Sequence, residues 1–200
     1  MKVSVIIPYD RDRGYLKRAI KSVKDQTYED IELILSEGPG NCAVNFNNGV
    51  RKAKGELIRK LDSDDYLPLD SIEKSVAGMK DYDFTHGNAY ILSKDKIVPY
   101  IPPCKHPTAR DLFESSTLHE ITVMYRADVF DRFGLFDDSI EQAQTYEFHL
   151  RILSKGAKIG YINEYLVYYR RHNDQLSYGS AKDVRGKVLA KIKNRYANVS

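Results

Sequence analysis

Leu57-Ile58-Arg59-Lys60-Leu61-Asp62-Ser63-Asp64-Asp65 reads as a strand that delivers the chain into a run of carboxylates. Strand alternation followed by a turn points Asp62 and Asp64 into one space above a sheet. Upstream, Val3-Ser4-Val5-Ile6-Ile7-Pro8 is β-branched, almost continuously apolar and stopped by proline, the pattern of a buried strand in a parallel or mixed sheet. Between these two, Tyr15 to Gln26 set Leu16, Ala19, Ile20 and Val23 on one helical face. Ile31 to Leu35 form a further strand, and Ser36-Glu37-Gly38-Pro39-Gly40 is a turn by composition. Val44 to Lys54 predict a second helix closed by Gly55. Strands alternating with helices predict a single α/β domain, a Rossmann-like mixed sheet flanked by helices. Its ligand site lies beyond the carboxyl ends of the strands, where the post-strand loops meet.

Downstream, the pattern continues with a helix from Leu69 to Met79, a strand from Phe84 to Gly87, and a hairpin from Ala89 to Ile101 turning near Ser93 to Asp95. Pro99 to Pro107 holds four prolines and cannot join a central strand, so it is expected to form a functional flap. Asp128 to Phe133 predict a short helix ending at Gly134, and Ile140 to Ser154 a longer one closed by Gly156. Lys158 to Ile162 and Tyr165 to Tyr169 read as two strands, the second running into Arg170-Arg171-His172. From Ala181, Val184, Val188, Leu189, Ile192 and Tyr196 share a helical face. The expected division is a domain over 1–180 with a basic amphipathic helix over 181–200 packed on it.

The 200 residues, 42% hydrophobic, suffice for one sizeable core. A net charge of +3, with both signs interspersed, provides no basic face for nucleic acid. Cys42 and Cys104 are too few for a disulfide framework and lack metal-ligand spacing, which fits a reduced, cytoplasmic protein. No apolar run is long enough to span a bilayer, so membrane association is expected to be peripheral at most.

Asp62 and Asp64 together suit a hard divalent cation, Mn or Mg, which takes oxygen ligands and keeps positions for water and phosphate. Such an ion neutralises charge on a leaving diphosphate. Asp65 is read instead as a helix cap or turn former.

Val3-Ser4-Val5-Ile6-Ile7-Pro8, then Leu16-Lys17-Arg18-Ala19-Ile20-Lys21-Ser22-Val23 with Gln26-Thr27-Tyr28, Ala53-Lys54-Gly55-Glu56 and Leu61-Asp62-Ser63-Asp64-Asp65 form an ordered series. Gly134-Leu135-Phe136-Asp137 and Tyr168-Tyr169-Arg170-Arg171-His172 follow in order. The series resembles the signature of family 2 glycosyltransferases with the GT-A fold. The resemblance implies transfer with inversion from a nucleotide-diphosphate sugar, a UDP- or dTDP-sugar, to a glycan hydroxyl, with one divalent metal. It implies that Pro8 and Tyr9 flank the base and ribose and that Glu37 meets the nucleobase. Asp62 then lies near ribose or metal, Ser63 contacts the donor, and Asp64 is the direct metal ligand. Arg170, Arg171 and His172 close over the diphosphate, with His172 a candidate further ligand.

Two places depart from that signature. Pro8-Tyr9-Asp10-Arg11-Asp12-Arg13 stands where the family carries Pro-x-Tyr-Asn, which leaves Asp10 and Arg11 as donor-binding candidates. The family's Glu-Asp or Gln-Asp pair falls on Gln144-Thr145, and threonine cannot accept the acceptor's proton. Glu141 and His149, one turn before and after Thr145, are the first candidates for a relocated base, and His119 and Glu120 are further options. A catalytically impaired nucleotide-sugar-binding module is the alternative expectation. A nucleotidyltransferase would carry a glycine-rich loop after the first strand, where only Gly14 stands. Tyr100 and Tyr178 are candidates to stack on sugar, and Asn173 to Gly179 resembles a lid.

Overall fold

The structure is a computed structural model that describes residues 1–39, 41–93, 96–115, 118–172, 175 and 181–197. Chain order is β1 (Val3–Tyr9), α1 (Leu16–Lys24), β2 (Ile31–Glu37), α2 (Cys42–Val50), β3 (Leu57–Lys60), α3 (Ser71–Met79), β4 (Phe84–Ser93) and β5 (Lys96–Tyr100). There follow α4 (Ala109–Glu114), a 3-10 turn (Glu120–Thr122), β6 (Met124–Arg126), α5 (Asp128–Phe133), α6 (Gln144–Ser154), β7 (Ile159–Arg171) and α7 (Ala181–Arg195). The seven strands make one mixed sheet in the order β2-β1-β3-β6-β4-β5, with β7 along the other side of β4.

The apolar strands divide their side chains between two layers. On one face Ile6, Ile58 and Tyr125 pack with Phe46 of α2, Leu112 of α4, Phe130 of α5 and Phe148 of α6, and Ile192 of α7 joins them. On the other, Val5, Ile7, Leu57 and Leu61 pack with Ala19 and Val23 of α1 and Ile72 and Met79 of α3. Burial of these side chains at about 25 cal/mol per Å² is the main favourable term in forming the sheet-helix layers.

The register builds the site's wall. Tyr125 pairs with both Ile58 and Phe84, so β3 and β4 run level at that point. Since β3 ends at Lys60, β4 beyond Gly87 rises past the carboxyl edge of the sheet. There β7 accompanies it as far as Arg171, while β5 returns antiparallel. Gly87 sits at the bulge in the β4–β7 pairing, where an added Cβ would meet the Ile162 carbonyl oxygen at 2.8 Å.

Several boundaries differ from expectation. Pro8 does not stop β1, because β3 leaves the ladder after Ile6↔Lys60 and nothing there needs the missing N–H. α2 begins at Cys42, since Asn41 accepts a hydrogen bond from the Val44 amide at 3.0 Å, and it ends at Val50. Gly55 is therefore no helix stop; a Cβ there would approach the Ser4 amide nitrogen to 2.6 Å. The strand at Phe84 and the first arm of the hairpin are one strand, and so are the two late strands. Pro99 lies within β5, an outer strand that tolerates it. α4, the 3-10 turn and the short β6 were not legible in the periodicity.

Candidate active site

The last ladder bond of the third strand runs from the Leu61 amide to the Ile6 carbonyl at 2.9 Å, and the chain then turns so that the Asp65 amide donates to the Asp62 carbonyl at 3.1 Å. Asp62 Oδ1 is engaged by the ammonium of Lys60, whose residue is 6% exposed. Burial works against that charge, but the neighbouring acidic groups together, Asp62 first among them, hold the Lys60 pKa above its ordinary value. Beside the pair, burial pushes the Cys42 thiol up to about 11, although Lys60 opposes the shift. Asp64 Oδ2 lies 2.8 Å from His172 Nε2, and the Asp64 carbonyl accepts from Arg170 Nε at 3.0 Å.

Asp65 closes the turn through its amide, the second of the two roles read for it, but it caps no helix: its side chain is buried, and Oδ1 accepts the Arg170 amide at 2.8 Å. Burial, with the neighbouring Asp64 and Asp62 charges, raises its pKa well above the usual carboxylate range. Oδ2 has no partner among the described residues. Tyr66 and Tyr168 add a two-way backbone bridge at 3.3 and 2.8 Å and stack at 4.6 Å, tying the acidic turn to β7.

Strand alternation then sorts the basic run. Arg170 lies over the Tyr15 ring at 4.8 Å, and His172 packs against the same ring at 5.1 Å. Arg171 is exposed, and its charge helps lower the His119 pKa, which places it on the opposite face. The three side chains expected to converge therefore divide: Arg170 and His172 share one face of the strand and Arg171 lies on the other. Gln175 reinforces their position, its side-chain amide donating to the Arg170 carbonyl and its Oε1 accepting the His172 amide. The rest of the expected lid, and Tyr178, lies outside the described residues.

At the far end of the edge, Pro8 is buried, and half-exposed Tyr9 donates to Glu37 Oε2 at 3.1 Å. Burial and this carboxylate raise the tyrosine pKa. Asn45 Nδ2 donates to the Tyr9 and Gly38 carbonyls at 3.0 and 2.9 Å, pinning the ends of β1 and β2 together. Asp10 is held by Arg13 in a two-pronged pair at 2.8 and 2.9 Å, which overcomes partial burial and lowers its pKa. Arg11 is exposed and Ser63 half-buried.

Neither first candidate for the base stands as expected. His149 is fully buried, 2.6 Å from the Tyr125 hydroxyl and stacked on Phe84 at 5.4 Å; burial pulls its pKa down to about 3. It is a neutral core side chain that substrate does not reach. Glu141 is exposed and precedes α6, so helical spacing does not place it beside Thr145; its carbonyl accepts Gln144 Nε2 at 2.8 Å. α6 is entered through Ala143 at φ +61°, a left-handed conformation that costs a non-glycine residue on the order of 1 kcal/mol. His119 is half-buried between Tyr100 and Tyr169, each at 5.1 Å, and desolvation of its ring lowers its pKa to about 4. Tyr100 is thereby occupied by protein packing. Glu120 is half-buried in the 3-10 turn.

Sequence reading passed over Lys60 and Arg59. Arg59 is fully buried, donates to the Thr122 and Leu166 carbonyls, and has its pKa lowered to about 10 by burial. Adjacent cations in a strand otherwise read as buried were the available signal, because buried charges require partners.

Among the described residues, no group of three or more His, Cys, Asp or Glu is arranged to hold a metal ion. An ion of the Mg type is commonly held by one or two carboxylates with water and phosphate completing its shell. Asp64, with one oxygen on His172 and the other facing away from that bond, fits such a partial set; Asp62 is already compensated by Lys60.

No protein-family model matches the chain. It is similar to an uncharacterized glycosyltransferase of Rickettsia typhi, 26% identical over 86% of this chain and 65% of the relative. It is also similar to the O-antigen biosynthesis glycosyltransferase WbnJ of Escherichia coli, 27% identical over 86% of this chain and 80% of that protein. The chain spans 65%, 35%, 34% and 65% of the length of four Rickettsia relatives, two thirds at most. Among solved structures, S. aureus TarS superposes with TM-score 0.70 at 16% identity over 98% of this chain and 43% of TarS. TarS 1-349 in complex with UDP-GlcNAc gives 0.71 at 16% identity over 100% and 74%. The mixed sheet with helices on both faces is a GT-A fold. No helix among the described residues is long and apolar enough to cross a membrane.

Proposed function

We propose that the chain is the catalytic domain of a glycosyltransferase that moves a sugar from a UDP- or dTDP-sugar to a hydroxyl of a glycan, with inversion. The observation that carries this reading is the convergence of Asp64, Arg170 and His172 at the carboxyl edge, continuous with the Tyr9–Glu37 pair. An acidic turn at one end of an edge and an aromatic-carboxylate pair at the other suit a ligand with a diphosphate and a nucleoside. The names of the curated relatives support the reaction class. The shared fold with TarS 1-349, whose structure holds UDP-GlcNAc, makes UDP the first nucleotide to test.

In this reading Glu37 accepts from the base, while Tyr9 borders base and ribose. Arg170 and His172 donate to the diphosphate, stabilising charge as the bond to the anomeric carbon breaks. Tyr15, against the Arg170 guanidinium and the His172 ring, and the Asp64 contacts hold them in place before the donor arrives. Asp64, with Asp62 behind it, would hold Mn or Mg, which when bound neutralises diphosphate charge.

Thermal-shift titration with UDP, dTDP and GDP, with and without Mn, tests this. Stabilisation by UDP that depends on Mn and is lost in Asp64→Ala is expected, together with turnover of a UDP-sugar. Absence of a shift with every nucleotide diphosphate would overturn it. Thr145 favours a second reading, a module that binds the donor without turning it over; Mn-dependent binding with neither transfer nor hydrolysis is its signature.

A further inference from the structure

Six large apolar side chains are exposed among the described residues, and three of them fall within residues 97–101: Ile97 at 59%, Val98 at 50% and Ile101 at 55%. Scattered exposed apolar residues are ordinary, whereas a cluster marks a surface that meets something. Neighbouring residues of a strand point to opposite faces, so exposure of both Ile97 and Val98 leaves both faces of β5 open to solvent. β5 pairs with β4 from Ala89↔Tyr100 to Ser93↔Lys96 and stands at the end of the strand order. That stretch of β4 is the part that rises past the carboxyl edge. The hairpin is therefore a projecting blade with apolar sides.

The charge of the segment is one-sided. From Lys96 to Arg110 the sequence holds Lys96, Lys105 and Arg110 and no aspartate or glutamate, and the preceding Lys94 and Asp95 cancel. Lys96, Pro99, Pro103, Lys105 and His106 are exposed together with the three aliphatic residues. The loop that follows the blade is fastened to the wall: the Lys105 carbonyl lies 2.7 Å from His86 Nε2, and the Lys105 ammonium sits 5.3 Å from the centre of the Tyr161 ring. The apolar blade thus stands on a fixed base with basic groups at both ends.

A further strand is a poor occupant of this surface. Pro99 offers no N–H in the middle of the free edge and Lys96 stands at its start, both devices that keep strands from adding to an edge. A second copy across a twofold axis would bring the same cations together, with no acidic residue in the segment to meet them. An anionic bilayer requires neither backbone hydrogen bonds nor a carboxylate on the protein. Its interface takes up aliphatic side chains, and its headgroups attract lysine.

We propose that the β4–β5 hairpin docks the protein peripherally on a membrane surface rich in anionic phospholipid, with Ile97, Val98 and Ile101 entering the interface and Lys96 and Lys105 meeting the headgroups. The hairpin rises from the same edge of the sheet as the acidic turn, which sets the candidate active site close to the lipid surface. None of these residues meets the donor in the reading above, so loss of docking leaves UDP binding intact.

Sedimentation with extruded vesicles tests this, using phosphatidylcholine alone and an equal mixture of phosphatidylcholine and phosphatidylglycerol. The wild-type protein is expected to pellet with the mixed vesicles, and less so with phosphatidylcholine alone or at high salt, which screens the headgroup attraction. Ile97→Ser combined with Val98→Ser and Ile101→Ser should lower the partition coefficient by at least about tenfold, the effect of withdrawing three aliphatic side chains from apolar surroundings. Tm and the stabilisation by UDP should not change in this variant, since all three side chains already face solvent. The sequence contains no tryptophan, so Ile97→Trp supplies a single reporter whose emission should shift to the blue on mixed vesicles. Leu69→Trp is the control and should not shift: Leu69 is 60% exposed, and its carbonyl accepts the Thr27 amide at 3.0 Å beyond the end of α1. A wild-type protein that ignores the mixed vesicles overturns the proposal. So does binding that the triple variant retains in full, which would assign it to another basic surface such as the outer face of α7. A wild-type dimer in light scattering that the triple variant turns into a monomer overturns it as well, making a second copy the occupant.

Discussion

The backbone N–H of Arg170 donates to the Asp65 carboxylate at 2.8 Å across 105 residues of chain, making a buried acid the clasp between the acidic turn and the end of β7. Arg170 and His172 reach Asp64 only because this clasp sets the strand's height against the turn.

Removing the clasp should loosen both. Asp65→Ala leaves the Arg170 amide without its acceptor, which costs about 1–3 kcal/mol for a buried donor. Asp65→Asn keeps a carbonyl oxygen and, because burial already disfavours the charged acid, is expected to cost less. Urea unfolding of the two variants checks the order; equal losses would contradict it.

Asp62 and Asp64 should separate by assay. Asp62→Ala strands the buried Lys60 ammonium, and loss of one partner of such a pair destabilises by about 3–5 kcal/mol when both are well buried. Asp62 is a third exposed, so the lower end is expected. Asp64→Ala should leave stability almost unchanged while abolishing the Mn-dependent shift with UDP. Calorimetric unfolding with and without UDP and Mn reads both effects.

The two neighbouring arginines should also part. Arg170→Ala removes a charge-assisted contact of about 1.5–3 kcal/mol and should weaken UDP binding by roughly tenfold to a hundredfold. Arg171→Ala, on the other face of β7, should change UDP affinity by less than about twofold, within RT at 298 K. Isothermal titration with UDP and Mn distinguishes them.

Acid should unfold the protein through its histidines before its carboxylates. Burial depresses His86 and His119 to about 4 and His149 to about 3. The unfolded chain binds these protons near pH 6.5, so the stability they contribute is complete above that value and falls progressively as pH drops toward the folded pKa values. At pH 4 the loss is at most about 3 kcal/mol per ring. Tm measured from pH 7 to pH 4 should fall steadily, with a shallower slope in His149→Phe, whose ring can keep the stack on Phe84.

Local periodicity carried the first half of the fold. β-branched runs at Val3 and Ile31, the apolar stripe of α1 and the strand before Asp62 are each decided within a dozen residues by which face must leave water, and their alternation implied the sheet. The same reading found Asp64, Arg170 and His172, because acidic and basic residues clustered at strand ends stand out against apolar neighbours.

Which of those residues meet was settled only in three dimensions. The contact between His172 and Asp64 spans 108 residues, and no pattern in either segment states the register of β7 against the acidic turn. Strand alternation then put Arg171 on the far face, and the packing of α6 on the sheet took His149 into the core. Burial of β3 within the sheet left the Lys60 ammonium needing the partner it finds in Asp62. The sequence by itself determined an α/β sheet with an acidic turn at its carboxyl edge, since burial of apolar faces is a local demand. The membership of the site was decided by tertiary structure, since pairing between distant strands depends on how the whole core packs.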